Sequence, residues 1–367
     1  MRQKRSIPFE ITGVDSLGQG VSKITDKITF IPKTAIGDKG EAILVSEKKG
    51  VAFARAEKLS ESSTQRIKPE CPHFSNCPSC HFLHVDYAQE LRYKKENFER
   101  LFRNLPLPAV EVIAADRRLA YRNRIQLHYS LKSKLLGMRD PHSFGILPIP
   151  ECLIAVPEVA SELRRLYSND QWSKEAPANI PEGHVEIYWH QNELKVNWNR
   201  PYSEGGFTQV FDEMNQKLKD LLKKLWLPNN PTNLLDLFGG NGNLSNDLNY
   251  SNRLCVDLYQ DLPGADFFSQ DLYGEHALSR VKKELIKRSM IVESLLLDPP
   301  RSGLKNIKEW VTTFNPQTIA YVSCDPQTLA RDLKDLKGYT FRKAFLIDFF
   351  PSTFHFESFI ILDRENY

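Results

Sequence analysis

The sequence lacks any uninterrupted apolar run long enough to span a bilayer as a helix. It also lacks a signal-peptide core, because the basic start Met1-Arg2-Gln3-Lys4-Arg5 is not followed by an apolar stretch. The two absences argue against the class of helical membrane proteins. They predict a protein that resides in the cytoplasm.

Cysteine is scarce, with six in 367 residues. A disulfide framework is therefore not expected in a cytosolic chain of this size. Three of the six, Cys71, Cys77 and Cys80, follow a C-x5-C-x2-C spacing that is compact enough to surround a metal centre. Cys152 is the candidate for the fourth ligand. Zinc and a 4Fe–4S cluster both accept four cysteines, so the spacing leaves both open.

A strong excess of one charge is also missing, because the net charge is +3. The charge is nevertheless uneven. Residues 1–200 contain 30 Lys and Arg against 24 Asp and Glu, whereas residues 201–367 contain 19 against 22. A polyanionic partner would therefore meet the front half of the chain first. The alternative is that these charges are only a solvated surface.

A chain of 367 residues is longer than a single hydrophobic core usually accommodates, which predicts two or three domains. A hydrophobic content of 41% and a charged content of 26% are typical of globular proteins. Within residues 7–58, short strands are predicted at 28–32, 41–45 and 51–55 between glycines. This pattern predicts a small β-barrel, a shape that often binds nucleic acid.

The middle of the chain begins with a polar linker at 59–70, followed by a helix over 86–103. Residues 105–200 are predicted to be mostly β. In this region, alternation places Arg122 and Arg124 on one face of a strand. Basic residues spaced with aromatic ones could grip an RNA backbone and stack on bases. The alternative is a solvated face of a sheet.

The pattern changes after residue 206. Strands are predicted at 233–238, 253–257, 295–298 and 318–322. Helices are predicted over 214–227, 275–288, 304–313 and 326–337. This alternation indicates a doubly wound α/β domain. A strand that leads into the glycine-rich turn 239–243 and then into a helix is typical of the first unit of a nucleotide-binding fold. Asp257, at the end of the next strand, is positioned to bind the hydroxyls of a ribose.

Three residues at strand ends could do chemistry. Cys324 follows the strand 318–322 in a sharp turn, where ligands and reacting groups gather in α/β sheets. It can act as a nucleophile if its thiolate is favoured, and otherwise it is a small buried hydrophobe. Asp298 ends another apolar strand, and Glu357 lies near the C-terminus. The two carboxylates supply a possible base.

Together these stretches resemble the S-adenosylmethionine-dependent RNA 5-methyluridine methyltransferases. The match is closest to the 23S rRNA branch, which carries a TRAM domain and a 4Fe–4S cluster. The resemblance covers nearly the whole chain. It implies a TRAM-like β-barrel over 1–58, a central RNA-binding domain over 59–205 and a Rossmann-like methyltransferase domain over 206–367. It also favours iron–sulfur over zinc at Cys71, Cys77, Cys80 and Cys152.

The resemblance assigns the site residues as well. It makes Cys324 the nucleophile that adds to carbon 6 of uracil and Glu357 the general base. The positions matched to cofactor contacts are Gln209, Phe238, Asn243, Asp257, Asp271 and Asp298. Phe207 could stack on the target base, with Arg122 and Arg124 as RNA contacts. The implied protein is a monomer that methylates carbon 5 of a specific uridine in 23S rRNA.

The chain departs from the family pattern in three places. It has Gly239-Gly240 where Cys-Gly is usual, and Phe211 where Asn is usual. Only 13 residues separate Asp257 from Asp271, a shorter segment than is typical, so the cofactor site is expected to be open on one side. This shortening motivates an alternative, a catalytically weak RNA-binding or ribosome-assembly factor. Methylation of a tRNA uridine and methylation at cytosine-5 are further alternatives.

Overall fold

The computed structural model of the chain describes residues 5–140, 145–201, 209–226, 232–258, 264, 266–334 and 336–365. The chain forms two compact units. One, here called the front unit, contains residues 1–97, 116–211 and 350–354. The other, here called the sheet unit, contains residues 98–115, 212–349 and 355–367. In the part that the structure describes, no helix is long and apolar enough to span a membrane.

The front unit begins with a closed five-stranded barrel, which confirms the predicted small β-barrel. Its strands are β1 (Ser6–Val14), β2 (Gln19–Ser22), β3 (Ile28–Pro32), β4 (Lys39–Lys48) and β5 (Val51–Glu61). They are ordered β1-β2-β3-β5-β4. Alternate side chains such as Phe9, Ile11 and Ile31 point inwards and are buried. Strand β5 extends to Glu61, so the barrel reaches into the predicted linker.

Helix α1 (Tyr87–Leu101) confirms the helix that was predicted next. Its far end and the short strand β6 (Glu111–Ile113) belong to the sheet unit. Phe98 and Phe102 pack in the core of that unit. The boundary of the front unit therefore differs from the predicted domains, because residues 98–115 leave it to complete another core.

The rest of the front unit is a five-stranded sheet with two helices. The strands are β7 (Arg124–Ser130), β8 (Leu135–Arg139), β9 (Ile146–Leu147), β10 (Glu182–His190) and β11 (Glu193–Trp198), in the order β11-β10-β7-β8-β9. The helices are α2 (Pro157–Tyr167) and α3 (Gln171–Glu175). Val159, Leu163 and Leu166 form a buried stripe at helical spacing, which the prediction of mostly β structure missed.

The sheet unit is an eight-stranded sheet in the order β14-β13-β12-β15-β16-β18-β17-β6. Its further strands are β12 (Thr232–Leu237), β13 (Tyr250–Asp257), β14 (Phe267–Ser269), β15 (Ser294–Leu297), β16 (Thr318–Ser323), β17 (Tyr339–Ile347) and β18 (Glu357–Arg364). Its helices are α4 (Asp212–Leu225), α5 (Ala277–Lys287), α6 (Ile307–Phe314) and α7 (Pro326–Leu333). Strands β12 to β16 are parallel, and β18 runs antiparallel to β16.

The segment between β12 and β13 corrects the sequence prediction. Turns, and not a helix, fill residues 240–247. Gly240 and Gly242 have positive φ values of 55° and 79°, which a helix does not accept. Ser245 is then held by the Asp236 carboxylate at 2.5 Å, which fixes the turn against its own strand. The usual strand–turn–helix unit is therefore replaced here by a compact loop.

Candidate active site

The carboxyl ends of the parallel strands bring the predicted chemical residues to one edge of the sheet. Asp257 ends β13, Asp298 follows β15 and Cys324 follows β16. Strand β18 pairs with β16 so that Ser358 lies opposite Ser323. Because this pairing is antiparallel, Glu357 stands beside the turn that carries Cys324.

The turn at Cys324 is fixed by the residue that follows it. The Asp325 side chain accepts hydrogen bonds from the backbone N–H groups of Gln327 at 2.9 Å and Thr328 at 3.1 Å. It is thus the N-cap of α7, with Pro326 at the first helical position. The cap stops β16 and starts the helix within two residues, which leaves the half-buried Cys324 at the tip.

The Cys324 thiol is protonated in the free protein at neutral pH. Burial, together with the neighbouring Glu357 carboxyl, raises its pKa to about 12. The Arg301 guanidinium acts in the opposite direction and favours the thiolate. A nucleophilic role therefore requires that binding of a substrate change this balance.

Glu357 is 5% exposed and lies at the first position of β18, where it pairs with Ile347 of β17. Burial raises the pKa of its carboxyl well above the usual value, the Asp298 carboxyl adds to this, and Arg301 opposes it. Arg301 thus acts on both the thiol and the carboxyl. It was not among the predicted site residues, although it lies only three positions after Asp298.

Acidic groups accumulate at this edge. Burial raises the pKa of Asp298 to about 7, with smaller contributions from Asp236 and Asp257. Burial also raises the pKa of Asp236 to about 6. An edge where several carboxyls gather is suited to a ligand that carries positive charge.

The glycine-rich loop departs from the family pattern for a steric reason. A Cβ added at Gly239 would lie 2.4 Å from the Cys255 Sγ and 2.5 Å from the Asp236 Oδ2. Real side chains do not approach this closely, so only glycine fits above Cys255. Cys255 is buried within β13 and packs beneath the loop.

Asp257 is tied to the same loop. Its carboxylate accepts hydrogen bonds from the backbone N–H groups of Gly240 at 2.9 Å and Leu258 at 2.6 Å. Asn243 exchanges two side-chain amide hydrogen bonds with Asn215 of α4, at 2.9 and 3.0 Å. The loop is therefore fixed to β13 and to α4.

Two aromatic rings lie beside the loop. Phe238 has a left-handed φ of 62°, and its ring centroid lies 5.4 Å from that of Tyr273. The Tyr273 hydroxyl hydrogen-bonds with the Ser302 hydroxyl at 2.7 Å and donates to the Gly303 carbonyl at 3.0 Å. Tyr273 was not predicted as a site residue. Its pairing with Phe238 is visible only in three dimensions.

The other predicted cofactor positions have different surroundings. Asp271 is exposed and accepts a hydrogen bond from the backbone N–H of Tyr273 at 2.9 Å, so its carboxylate closes its own turn. Gln209 belongs to the front unit, where its carbonyl accepts a bond from the Asn123 amide at 3.2 Å. Phe207 and much of the shortened segment between Asp257 and Asp271 lie outside the described residues.

Comparisons with known proteins find similarity to RNA methyltransferases. A family model described as tRNA (Uracil-5-)-methyltransferase matches residues 263–365. A 23S rRNA (uracil(1939)-C(5))-methyltransferase RlmD of Shewanella sediminis is 28% identical, with 98% of this chain and 96% of the relative covered. The RlmD of a Marinomonas species is also 28% identical, over 97% of this chain and 94% of the relative. The chain is similar to RNA uracil-5-methyltransferases.

A solved structure shares the fold of the methyltransferase. It is the Pyrococcus abyssi tRNA (uracil-54, C5)-methyltransferase in complex with S-adenosyl-L-homocysteine. The TM-score is 0.71 with 20% sequence identity, and 97% of this chain and 99% of the other are covered. The RlmD alignment, in turn, runs over 430 positions, more than the 367 residues of this chain, so that relative carries segments that this methyltransferase lacks.

In the front unit of the methyltransferase, all four predicted metal-binding cysteines line one cavity. They are Cys71, Cys77, Cys80 and Cys152. Burial raises the pKa of Cys71, Cys80 and Cys152, and neighbouring thiols of the set add to the effect. Among the described residues, no group of His, Cys, Asp or Glu has the arrangement that holds a single metal ion.

A lysine from the barrel reaches this cysteine loop. The Lys33 ammonium donates to the backbone carbonyls of Phe74 and of Cys77, the latter at 2.7 Å. Burial lowers the pKa of Lys33, whereas the nearby thiols raise it. The donor set fits a centre with positive charge, because buried thiolates repel one another until cations lie between them.

The two predicted RNA-contact arginines differ. Arg122 is half-buried, and its Nε donates to the Arg124 carbonyl at 2.7 Å. Arg124 is 2% exposed, forms an ion pair with Glu186 at 3.4 Å and lies 4.4 Å above the Tyr188 ring. This environment argues against the predicted RNA contact at Arg124, because its guanidinium is already bonded inside the sheet.

Proposed function

We propose that this methyltransferase transfers a methyl group to carbon 5 of a uridine in 23S rRNA, with Cys324 as covalent nucleophile and Glu357 as general base. The observation that carries the proposal is the pairing of these residues across β16 and β18, which places a thiol and a carboxyl side by side at the strand edge. Bound S-adenosylmethionine supplies the electrophilic methyl group. The acidic edge suits its sulfonium, and Phe238, Asn243, Asp257 and Asp298 would hold it.

Carbon 5 of uracil becomes nucleophilic only after activation. The Cys324 thiolate forms a bond to carbon 6, and the displaced double-bond electrons make carbon 5 an enolate carbon. Arg301 supports this step because it favours the thiolate. After methylation, the Glu357 carboxylate removes the proton from carbon 5. The electrons of that C–H bond restore the double bond between carbons 5 and 6. The bond between carbon 6 and sulfur breaks, and its electron pair stays on the Cys324 sulfur.

The order of ionisation follows from the electrostatics. The Glu357 carboxyl raises the pKa of the Cys324 thiol, so ionising both groups together is costly. Once sulfur is bonded to carbon 6, it carries no negative charge. Glu357 can then lose its own proton and act as the base.

The decisive experiment uses Glu357→Gln. This variant keeps the nucleophile, so we expect addition and methyl transfer followed by a stalled release. A methylated protein–RNA adduct should then survive denaturation and be visible on a gel. Cys324→Ala should retain RNA binding and give neither adduct nor methylation. A Cys324→Ala protein that still methylates RNA would refute the mechanism.

A tRNA uridine is the second candidate substrate. It is supported by the P. abyssi structure, whose name states a tRNA substrate and which covers 97% of this chain. The RlmD names, at 28% identity, favour 23S rRNA. Methylation assays on separate 23S rRNA and tRNA transcripts decide between the two. The compact loop between β12 and β13 also supports the alternative of a catalytically weak RNA-binding or ribosome-assembly factor. Failure of the protein to bind S-adenosylmethionine would favour this alternative.

For the front unit we propose a 4Fe–4S cluster on the four cysteines that line one cavity. Lys33 would offset part of the negative charge of a cluster bound by four thiolates. Anaerobically purified protein should contain iron and sulfide. Stoichiometric zinc without iron would contradict this assignment.

A further inference from the structure

A short segment just before Glu357, the proposed base, belongs to a different unit from the residues on either side of it. Phe350–Phe354 belongs by its contacts to the front unit, whereas the residues on both sides of it belong to the sheet unit. The segment lies between β17 and β18. Only His355 and Phe356 separate it from Glu357.

The backbone of the segment is held at its centre. The Ser352 carbonyl accepts hydrogen bonds from the backbone N–H groups of His81 at 2.7 Å and Phe82 at 3.1 Å. The Ser352 N–H donates to the Glu90 carboxylate at 2.7 Å. Ser352 has a φ of 70°, a left-handed conformation that a serine keeps only where its surroundings impose it.

Side chains fix the rest of the segment. The Tyr121 hydroxyl donates to the Pro351 carbonyl at 3.0 Å, and the Lys94 ammonium donates to the Phe350 carbonyl at 3.2 Å. The Phe354 ring meets the His81 ring edge-on, with centroids 4.7 Å apart. The Thr353 hydroxyl closes the turn, because it donates to the Phe350 carbonyl at 2.9 Å. Each residue of the segment is therefore bonded or packed in place.

The residues that hold the segment are themselves held by ion pairs. Glu90 and Lys94 are buried and paired at 2.7 Å, and Arg118 pairs with Glu90 at 2.8 Å. His81 directly follows Cys80, one of the four cysteines of the cavity. The segment therefore rests on a buried charge cluster and on the cysteine loop.

We propose that Phe350–Phe354 is a positioning segment for Glu357, through which the cysteine loop of the front unit controls removal of the carbon 5 proton. The inference rests on the proposed function. Addition of Cys324 and methyl transfer do not use Glu357, whereas proton removal does. Loosening the segment should therefore slow the second half of the reaction alone.

The test uses Phe354→Ala in the full-length protein. Phe354 is only partly buried, so the change removes the contact with His81 at a modest cost in stability. We expect methyl transfer in a single turnover to stay within about twofold. Release of product should slow roughly tenfold to hundredfold, because proton transfer is sensitive to small displacements. The methylated adduct should accumulate, and Phe354→Tyr should restore release.

A matched control is Phe314→Ala. Phe314 is also partly buried and has one aromatic partner, Trp310, with centroids 6.0 Å apart. It should release product at the wild-type rate. Tyr121→Phe removes the bond to the Pro351 carbonyl while keeping the ring, and gives a second, milder test. If Phe354→Ala does not fold, adduct accumulation in Tyr121→Phe decides the question.

Equal slowing of methyl transfer and release in Phe354→Ala would overturn the proposal, as would release at the wild-type rate. A merely structural role would reduce adduct formation, whereas the positioning role increases it. Failure of the proposed function looks different. In that case Glu357→Gln forms no methylated adduct either, whatever the segment does.

Discussion

The two acids Asp298 and Glu357 of the proposed site differ from the buried acids of the front unit in how their charge is compensated. In the front unit, buried acids have cations beside them: Glu90 pairs with Lys94 and Arg118, and Asp38 pairs with Arg66 at 2.7 Å. In the described part of the sheet unit, Asp298 and Glu357 form no ion pair within 4 Å, and their pKa values are raised. Paired charges fix structure, whereas unpaired buried acids keep protonation states that chemistry can use.

The largest expected effect comes from breaking a pair in the front unit. Glu90→Gln leaves Lys94 and Arg118 buried without their shared carboxylate. We expect the free energy of unfolding to fall by about 3–5 kcal/mol, because an uncompensated buried charge is costly. Urea denaturation followed by circular dichroism measures it.

The matched control is Glu111→Gln, which breaks the exposed pair with Lys343. Its two side chains are 49% and 43% exposed, so the free energy of unfolding should change by less than about 1 kcal/mol. Similar losses in the two variants would remove the contrast between buried and exposed pairs on which the comparison depends.

A smaller effect of opposite sign is expected at the sheet edge. Asp298 has a pKa of about 7 in the folded protein and about 4 when unfolded. Its carboxyl is therefore ionised only in the unfolded chain between these values, and the wild type loses stability as pH rises from about 4 to 7. Asp298→Asn should be more stable by a few kcal/mol at pH 8 and equal to the wild type near pH 4.

Melting temperatures at the two pH values measure this difference. The control is Asp220→Asn on α4, an exposed acid that should show no such pH-dependent gain. A variant at Asp298 that melts below the wild type at pH 8 would show that the carboxylate stabilises the fold. Methylation should be impaired in Asp298→Asn at either pH.

The smallest effect concerns Arg301, a cation that acts on the reacting groups. Arg301→Met removes the guanidinium that favours the Cys324 thiolate, so the pKa of the thiol should rise. Alkylation of Cys324 by iodoacetamide at a fixed pH should slow about threefold to tenfold. The Cys324→Ala protein provides the blank. The control is Arg280→Met, which changes an exposed arginine on α5. Equal rates of Cys324 alkylation in the two arginine variants would contradict the role of Arg301.

Much of the sheet unit could be predicted from sequence because its strands are continuous apolar runs. Ser294–Leu297 and Thr318–Ser323 are buried on both faces, which periodicity alone reveals. The missing helix after the glycine-rich loop could not be predicted, since the loop depends on Asp236 holding Ser245. Helical spacing alone also does not reveal that Lys94 of α1 is only 1% exposed, since its burial depends on the buried Glu90 with which it pairs.

The positions of Cys324 and Asp298 at strand ends were predictable, because each follows a continuous apolar strand, whereas their roles stay predictions. Arg301 was missed because its effect acts through space on two groups in other elements. Arg124 was predicted to lie on an RNA-binding face of a strand. Alternation shows on which face a side chain lies, but not which residues of other strands contact it. Its partner Glu186 comes from another strand, 62 positions along the chain.

The chain order of Phe350–Phe354 also constrains how the protein is made. Ribosomes extend chains by roughly 5–20 residues per second, and domains usually fold as they emerge. The front unit, however, needs a segment that follows residues 212–349 of the sheet unit. Until that segment emerges, the Glu90 carboxylate lacks the Ser352 N–H and the segment 81–82 lacks its carbonyl partner. The front unit therefore reaches its final form only after residues 212–349 of the sheet unit have been synthesised.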